Sequence, residues 1–169
     1  MTKFIVTDPC YILPNNIWDI CCKEFEVEDD TMYERFDNKV QEELRKFSGT
    51  EKAWAGSNGI GDWSNTLNSV SSDIKIIESD FGADAGMVCC VELTPSVENS
   101  LIEKYERLIG AIFEVDDSSD VNCEIDQSDK SWTIVRIFVN NNLVAISDDY
   151  YGEEYYDEDI FEEDEEEYY

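Results

Sequence analysis

The last 22 residues constrain folding more than any other stretch of this chain. Residues 148–169 read DDYYGEEYYDEDIFEEDEEEYY, with 13 carboxylates and no Lys or Arg, and the last basic residue anywhere is Arg136. A block of like charge this dense repels itself and does not build a core. Folding is therefore assigned to residues 1–147, and residues 148–169 are expected to form a flexible acidic, aromatic tail. The body carries 28 acids against 12 bases, a net of −16, and the tail supplies the other −13 of the total −29. With 42% hydrophobic and 12% aromatic residues overall, a body of this length is sized for one domain with a real core.

The charge also excludes classes of partner. A surface of this sign repels phosphates and anionic lipid, so neither direct nucleic-acid binding nor membrane-surface binding is expected; basic proteins and cations are attracted instead. No run of about 18 apolar residues suggests a membrane span, and residues 1–14 lack a long apolar stretch of the signal-peptide kind. Six cysteines occur as Cys10, Cys21, Cys22, Cys89, Cys90 and Cys123. Two adjacent pairs and no CxxC make a poor disulfide framework, so they read as reduced, mostly buried thiols of a cytoplasmic protein.

The pattern along the body alternates between helix and strand. Residues 3–7 form an apolar run that Asp8-Pro9 ends. Asn15 or Asn16 is placed to cap a short helix through Ile17, Trp18, Ile20 and Cys21. A longer helix opens at Asp30 or Thr31, repeats Tyr33, Phe36, Val40, Leu44 and Phe47, and stops at Gly49. Residues 52–55, 74–78 and 87–93 are strand-compatible, with Gly82 and Gly86 in the turn before the last. Thr94-Pro95 begins another helix, with Val97, Leu101, Tyr105 and Leu108 as its stripe. Residues 111–115, 121–125, 132–139 and 143–147 read as strands, and Asn140-Asn141-Asn142 signals a hairpin. The predicted class is α+β: an antiparallel β-sheet with two or three packed helices.

Several chemistries are closed to this composition. Without histidine there is no Ser-His-Asp triad, no Cys-His dyad and no histidine-containing zinc site. The turn Gly56-Ser57-Asn58-Gly59-Ile60-Gly61-Asp62 lacks the Lys-Ser/Thr ending of a phosphate-binding loop. Adjacent cysteines in a strand point to opposite faces, so Cys21/Cys22 and Cys89/Cys90 read as packing rather than a thiolate metal centre. The acidic turns at residues 80–84 and 116–120 lack the calcium-loop spacing of the EF-hand. No catalytic residue, metal or cofactor is assigned. A site built from Asp8, Cys10, Asp62 and Asp84 requires that the four converge on one pocket.

Asp8-Pro9-Cys10-Tyr11-Ile12 with Trp18, then Gly61-Asp62, then Asp84-Ala85-Gly86 before an apolar strand, resembles a group of small uncharacterised proteins of bacteria and their phages. Those share a DPCY motif near the N-terminus, a GDG-type turn and a VDSG or VDAG element. The likeness spans residues 5–95, and Trp63 departs from it where a second Gly is usual. It implies a β-rich body and a microbial or phage setting, with no activity attached.

The tail adds rings to its charge: six tyrosines and Phe161 lie among 13 acids. Carboxylates can stand for phosphates, and rings can fill the platforms on which bases stack. Fully extended, the segment presents one charge per about 5.6 Å; as a helix, one per about 2.5 Å. A single DNA strand, at one per about 3.4 Å, falls between. The composition resembles that of phage DNA-mimic inhibitors. The expected function is a non-enzymatic, nucleic-acid-mimicking inhibitor of a basic host protein such as a nuclease or other defence protein, acting in the host cytoplasm. Its partner-binding residues are Asp148, Asp149, Tyr150, Tyr151, Glu153, Glu154, Tyr155, Tyr156, Asp157, Glu158, Asp159, Phe161, Glu162 and Glu163. The alternative is a calcium-binding or small regulatory acidic domain.

Overall fold

A computed structural model describes residues 1–57, 61–129 and 132–147. The predicted tail residues, Asp148 to Glu163 among them, lie outside the described residues. The element order is β1 (Thr2–Thr7), α1 (Pro9–Ile12), α2 (Asn15–Cys22), a 3-10 turn (Lys23–Glu26), α3 (Met32–Ser48), β2 (Ala53–Ser57), β3 (Trp63–Ser69), β4 (Lys75–Glu78) and β5 (Asp80–Ala83). It continues with β6 (Met87–Glu92), α4 (Pro95–Tyr105), β7 (Ala111–Val115), β8 (Val121–Asp129), β9 (Trp132–Val139) and β10 (Asn142–Ser147).

The α+β expectation holds, and the strands divide into two five-stranded sheets, ordered β2-β6-β1-β7-β4 and β5-β3-β10-β9-β8. Every pairing recorded in them is antiparallel. The first sheet is the middle of three layers. Phe4, Val6, Val88, Cys90 and Phe113 face the second sheet and pack on Leu67, Phe81, Val135, Ile137 and Val144. Ile5, Cys89, Val91 and Ile112 face the helices and meet Ile12, Leu13, Phe36, Val40, Leu44, Val97 and Leu101. Burial on both faces is why Phe4-Ile5-Val6 and Met87–Val91 are unbroken apolar runs rather than alternating ones. Cys89 and Cys90 accordingly serve different layers.

Helix α3 ends on Gly49 in the left-handed conformation (φ 79°), whose N–H returns to the Arg45 carbonyl. Thr31 holds the N-cap position of that helix, but its hydroxyl donates to Asp29 (2.9 Å) and accepts from Arg35 (2.7 Å). Helix α2 starts at Asn15 with Pro14 as N-cap, so neither asparagine caps it as expected. The β9–β10 hairpin turns through Asn140 and Asn141, both at positive φ (53° and 69°); that pair of left-handed residues defines a type I′ turn.

Two strands escape the sequence pattern. In β3 the sequence WSNTLNS is polar, yet Asn65 and Leu67 are buried. Residues 80–84, read as an acidic turn, are mostly strand β5, in which Phe81 and Ala83 fill the inter-sheet layer or its edge and Gly82 lies between them. Among the described residues, no helix is long and apolar enough to cross a membrane.

Candidate functional site

The registers gather the sequence motifs at one end of the sandwich. Strands β1, β2 and β5 end there, at Thr7, Ser57 and Ala83, while β3, β6 and β7 begin there, at Trp63, Met87 and Ala111. Residues 8–12, Gly61-Asp62 and residues 84–86 are therefore neighbours at that end. Strand β10 is antiparallel to β3 and runs toward the same end, with Ser147 opposite Leu67.

Asp8 ties two of these turns together. Its carboxylate is fully buried and accepts three backbone N–H groups: Cys10 at 2.9 Å on Oδ1, and Asp84 and Ala85 at 2.8 Å each on Oδ2. The first bond caps α1, where Pro9 occupies the first turn and needs no partner for a missing N–H. The other two fix the loop between β5 and β6, whose Gly86 has a positive φ of 70°. An ionised oxygen with several N–H donors is the usual way to keep a buried carboxylate. The aspartates of the first and third motifs thus meet as a clamp and the turn it holds.

Around the clamp sits a ring of polar and aromatic groups. Burial raises the Tyr11 phenol pKa, and hydrogen bonding to the Asp84 carboxylate raises it further. Tyr11 also packs edge-on against Tyr105 of α4, with ring centroids 5.4 Å apart. Lys104 reaches back from α4 to donate to the carbonyls of Leu13 (2.6 Å) and Tyr11 (3.3 Å), where α1 ends. Ser100 donates to the Ile12 carbonyl at 2.5 Å. Burial lowers the Lys104 ammonium. Asp84 and Tyr105 are exposed, while Tyr11 and Cys10 are half-buried.

Of the four residues whose convergence was in question, Asp8, Cys10 and Asp84 meet. Asp62 lies at the same end, one residue before the Trp63–Ala83 pair, and is exposed. The thiol of Cys10 is poorly suited to attack: burial pushes its pKa well up, and the Asp8 charge beside it adds to the rise. It is a protonated thiol at neutral pH, and the thiolate is the nucleophile. The clamp holds two turns in place and leaves Asp84 and Tyr105 at the surface. Sequence reading selected Asp8 and Asp84 but not Tyr105 or Lys104, which lie more than 90 residues from α1 and carry no local signal of the contact.

The wider body is acidic because its acids outnumber its bases 28 to 12, and seven of those bases bond to the chain's own oxygens. Arg35 pairs with Asp29 (2.6 Å) and Glu24 (3.3 Å), and Lys39 and Lys46 both reach Glu42 and Glu43. Lys52 pairs with Asp120 (3.2 Å), and Arg136 bridges Glu124 and Asp126. Arg45 donates to the Ala53 carbonyl. Exposed pairs of this kind add little stability. In the 116–120 turn, Asp117 pairs with the N-terminal ammonium at 2.9 Å. Among the described residues, no three or more Cys, Asp or Glu side chains gather as a metal-holding group.

No family model matches the chain, and no curated protein and no solved structure matches it either.

Proposed function

We propose that this protein is a non-enzymatic acidic decoy, a phage-type inhibitor that seats on the basic nucleic-acid-binding surface of a host nuclease or other defence protein. The observation that supports this best is the arrangement of charge. Arg35, Lys39, Arg45, Lys46, Lys52, Lys104 and Arg136, seven of the body's twelve cations, bond to its own carboxylates and carbonyls, while acids such as Asp62 and Asp84 stand exposed. The body, at −16, and residues 148–169, at −13, carry charge of one sign. Such a field steers association with a basic groove and weakens as salt screens it.

The test is capture of basic proteins from a bacterial lysate by the full chain, followed by competition. The captured partner is expected to bind 1:1, to be displaced by single-stranded DNA, and to lose about a hundredfold or more in affinity across a fourfold rise in salt. A full-length variant with the 13 tail acids replaced by Asn and Gln should bind far more weakly. Binding that ignores both salt and DNA would overturn the proposal.

A further inference from the structure

Where α2, the 3-10 turn and α3 meet, a row of rings leads from the core to the surface. Trp18 meets Phe36 edge-on at 5.6 Å, Phe36 meets Phe25 at 4.4 Å, and Phe25 meets Tyr33 edge-on at 5.5 Å. Phe36 is buried, Trp18 and Phe25 are half-buried, and Tyr33 is 51% exposed. Val27, two residues after Phe25, is 62% exposed. The segment that carries Phe25 and Val27 is held firmly by Arg35 of α3. Its guanidinium donates to the carbonyls of Val27 (2.6 Å) and Glu24 (3.1 Å), to the carboxylates of Asp29 (2.6 Å) and Glu24 (3.3 Å), and to the Thr31 hydroxyl (2.7 Å). Those five bonds match the five N–H groups of an arginine.

The same stretch is densely acidic: residues 19–35 hold seven acids against Lys23 and Arg35. Arg35 is engaged with Asp29 and Glu24, while Asp19, Glu26, Glu28, Asp30 and Glu34 are exposed with no ion pair among the described residues. Single apolar residues on a surface need no explanation, but exposed ones grouped with rings and rimmed by charge mark a contact surface. Because Arg35 already orders the segment, little entropy is lost when something docks on it. Rings and an aliphatic call for an apolar stripe, and the acids around them call for Lys or Arg beside that stripe. An amphipathic helix with basic flanks supplies both. A second copy of this chain would instead set these acids against themselves.

We propose that Trp18, Phe25, Val27 and Tyr33 form a docking face for a basic amphipathic helix of the partner. The identity of that partner rests on the acidic-decoy reading. The face gives the body a contact that selects by shape, whereas the tail acts by charge density.

The probe is a synthetic helix-forming peptide with leucines along one side and arginines on both flanks, titrated into the full chain by calorimetry. One control holds the same residues in an order that breaks the stripe, and another has Gln in place of Arg. The striped basic peptide is expected to bind about tenfold or more tighter than either control. Val27→Ser and Tyr33→Ala should each weaken it about three- to tenfold and leave the reordered peptide unchanged. If the striped and reordered peptides bind alike, or if both variants bind the striped peptide like the unaltered chain, the face does not exist. Salt-sensitive binding of both basic peptides, lost when the 13 tail acids are replaced by amides, would then leave the decoy reading standing without it. A preference for the stripe that survives tail replacement and is lost in both variants would keep the face, even where the captured partner ignores salt and DNA. Equal binding of the Gln control would overturn the basic occupant, and dimerisation abolished by Val27→Ser would assign the face to a second copy instead. Because Val27 is largely exposed, its variant remains informative even if Tyr33→Ala loosens Phe25.

Discussion

Replacing Asp8 by Ala measures how much of the fold hangs on the clamp. Three N–H groups lose their acceptor at once: Cys10 at the start of α1, and Asp84 and Ala85 in the turn before β6. Losing the helix cap costs about 1 kcal/mol. Each of the other two amides, left part-buried without a partner, costs about 1–3 kcal/mol. The gross loss is then about 3–7 kcal/mol. Removing a desolvated charge returns part of it, so a net loss of about 2–4 kcal/mol is expected. Asp8→Asn should fall between Ala and the unaltered chain. Its amide oxygen can take over the two bonds on Oδ2, but its NH2 group then confronts the Cys10 N–H. Urea denaturation of the full chain, compared at constant m, gives the three stabilities. Hydrogen exchange at Asp84 and Ala85 should speed up in both variants ahead of the strands. An Ala variant within about 0.5 kcal/mol of the unaltered chain, or an Asn variant worse than Ala, would show that the three bonds are not what holds the turns together.

Two further perturbations probe other parts of the body. Asp37 of α3 accepts from Ser57 Oγ (2.8 Å), Ser57 N (3.3 Å) and Gln127 Nε2 (2.8 Å), and Gln127 also donates to the Ser57 carbonyl. Burial raises its pKa more than these bonds lower it. The native state therefore holds this proton more tightly than the unfolded chain. The stability tied to it is full below the unfolded value of 3.8 and declines as pH rises through the folded value. Asp37→Asn, whose amide oxygen can accept from Ser57 N and Gln127 Nε2 while its NH2 donates to Ser57 Oγ, should gain on the unaltered chain as pH is raised from about 3 to 7 in urea titrations; a pH-independent difference would refute the assignment. Gly110→Ala should lose at least about 2 kcal/mol by the same assay. Its φ is +142°, and a Cβ there would stand 2.5 Å from the Val6 carbonyl oxygen and 2.8 Å from Thr7 Cβ. A stability change under about 0.5 kcal/mol would mean that the β1–β7 approach relaxes freely.

What the sequence reveals of this molecule follows from which interactions are local. Helix α3 is readable because its stripe (Phe36, Val40, Leu44) and its Gly49 stop lie within one segment, and the Asn140-Asn141 turn is readable because left-handed pairs favour asparagine. Strand β3 is not, because its inward Asn65 and Leu67 are separated by polar residues that acquire meaning only beside β5 and β10. The split into two sheets is hidden for the same reason: β4 and β5 are one residue apart yet pair with β7 and β3, in different sheets. The clamp is an intermediate case. Asp8-Pro9 announces a cap, and Asp84-Ala85-Gly86 announces a turn, but the bonds between them span 76 and 77 residues. Nothing in either motif names the other. Their meeting follows from β1 and β6 being antiparallel neighbours with Thr7 opposite Cys89, which brings the start of one motif near the start of the strand that follows the other. The three motif turns share an end because every strand that leads into or out of them is antiparallel to its neighbour. That end is also where exposed Asp62 and Asp84 stand and toward which β10 carries the chain.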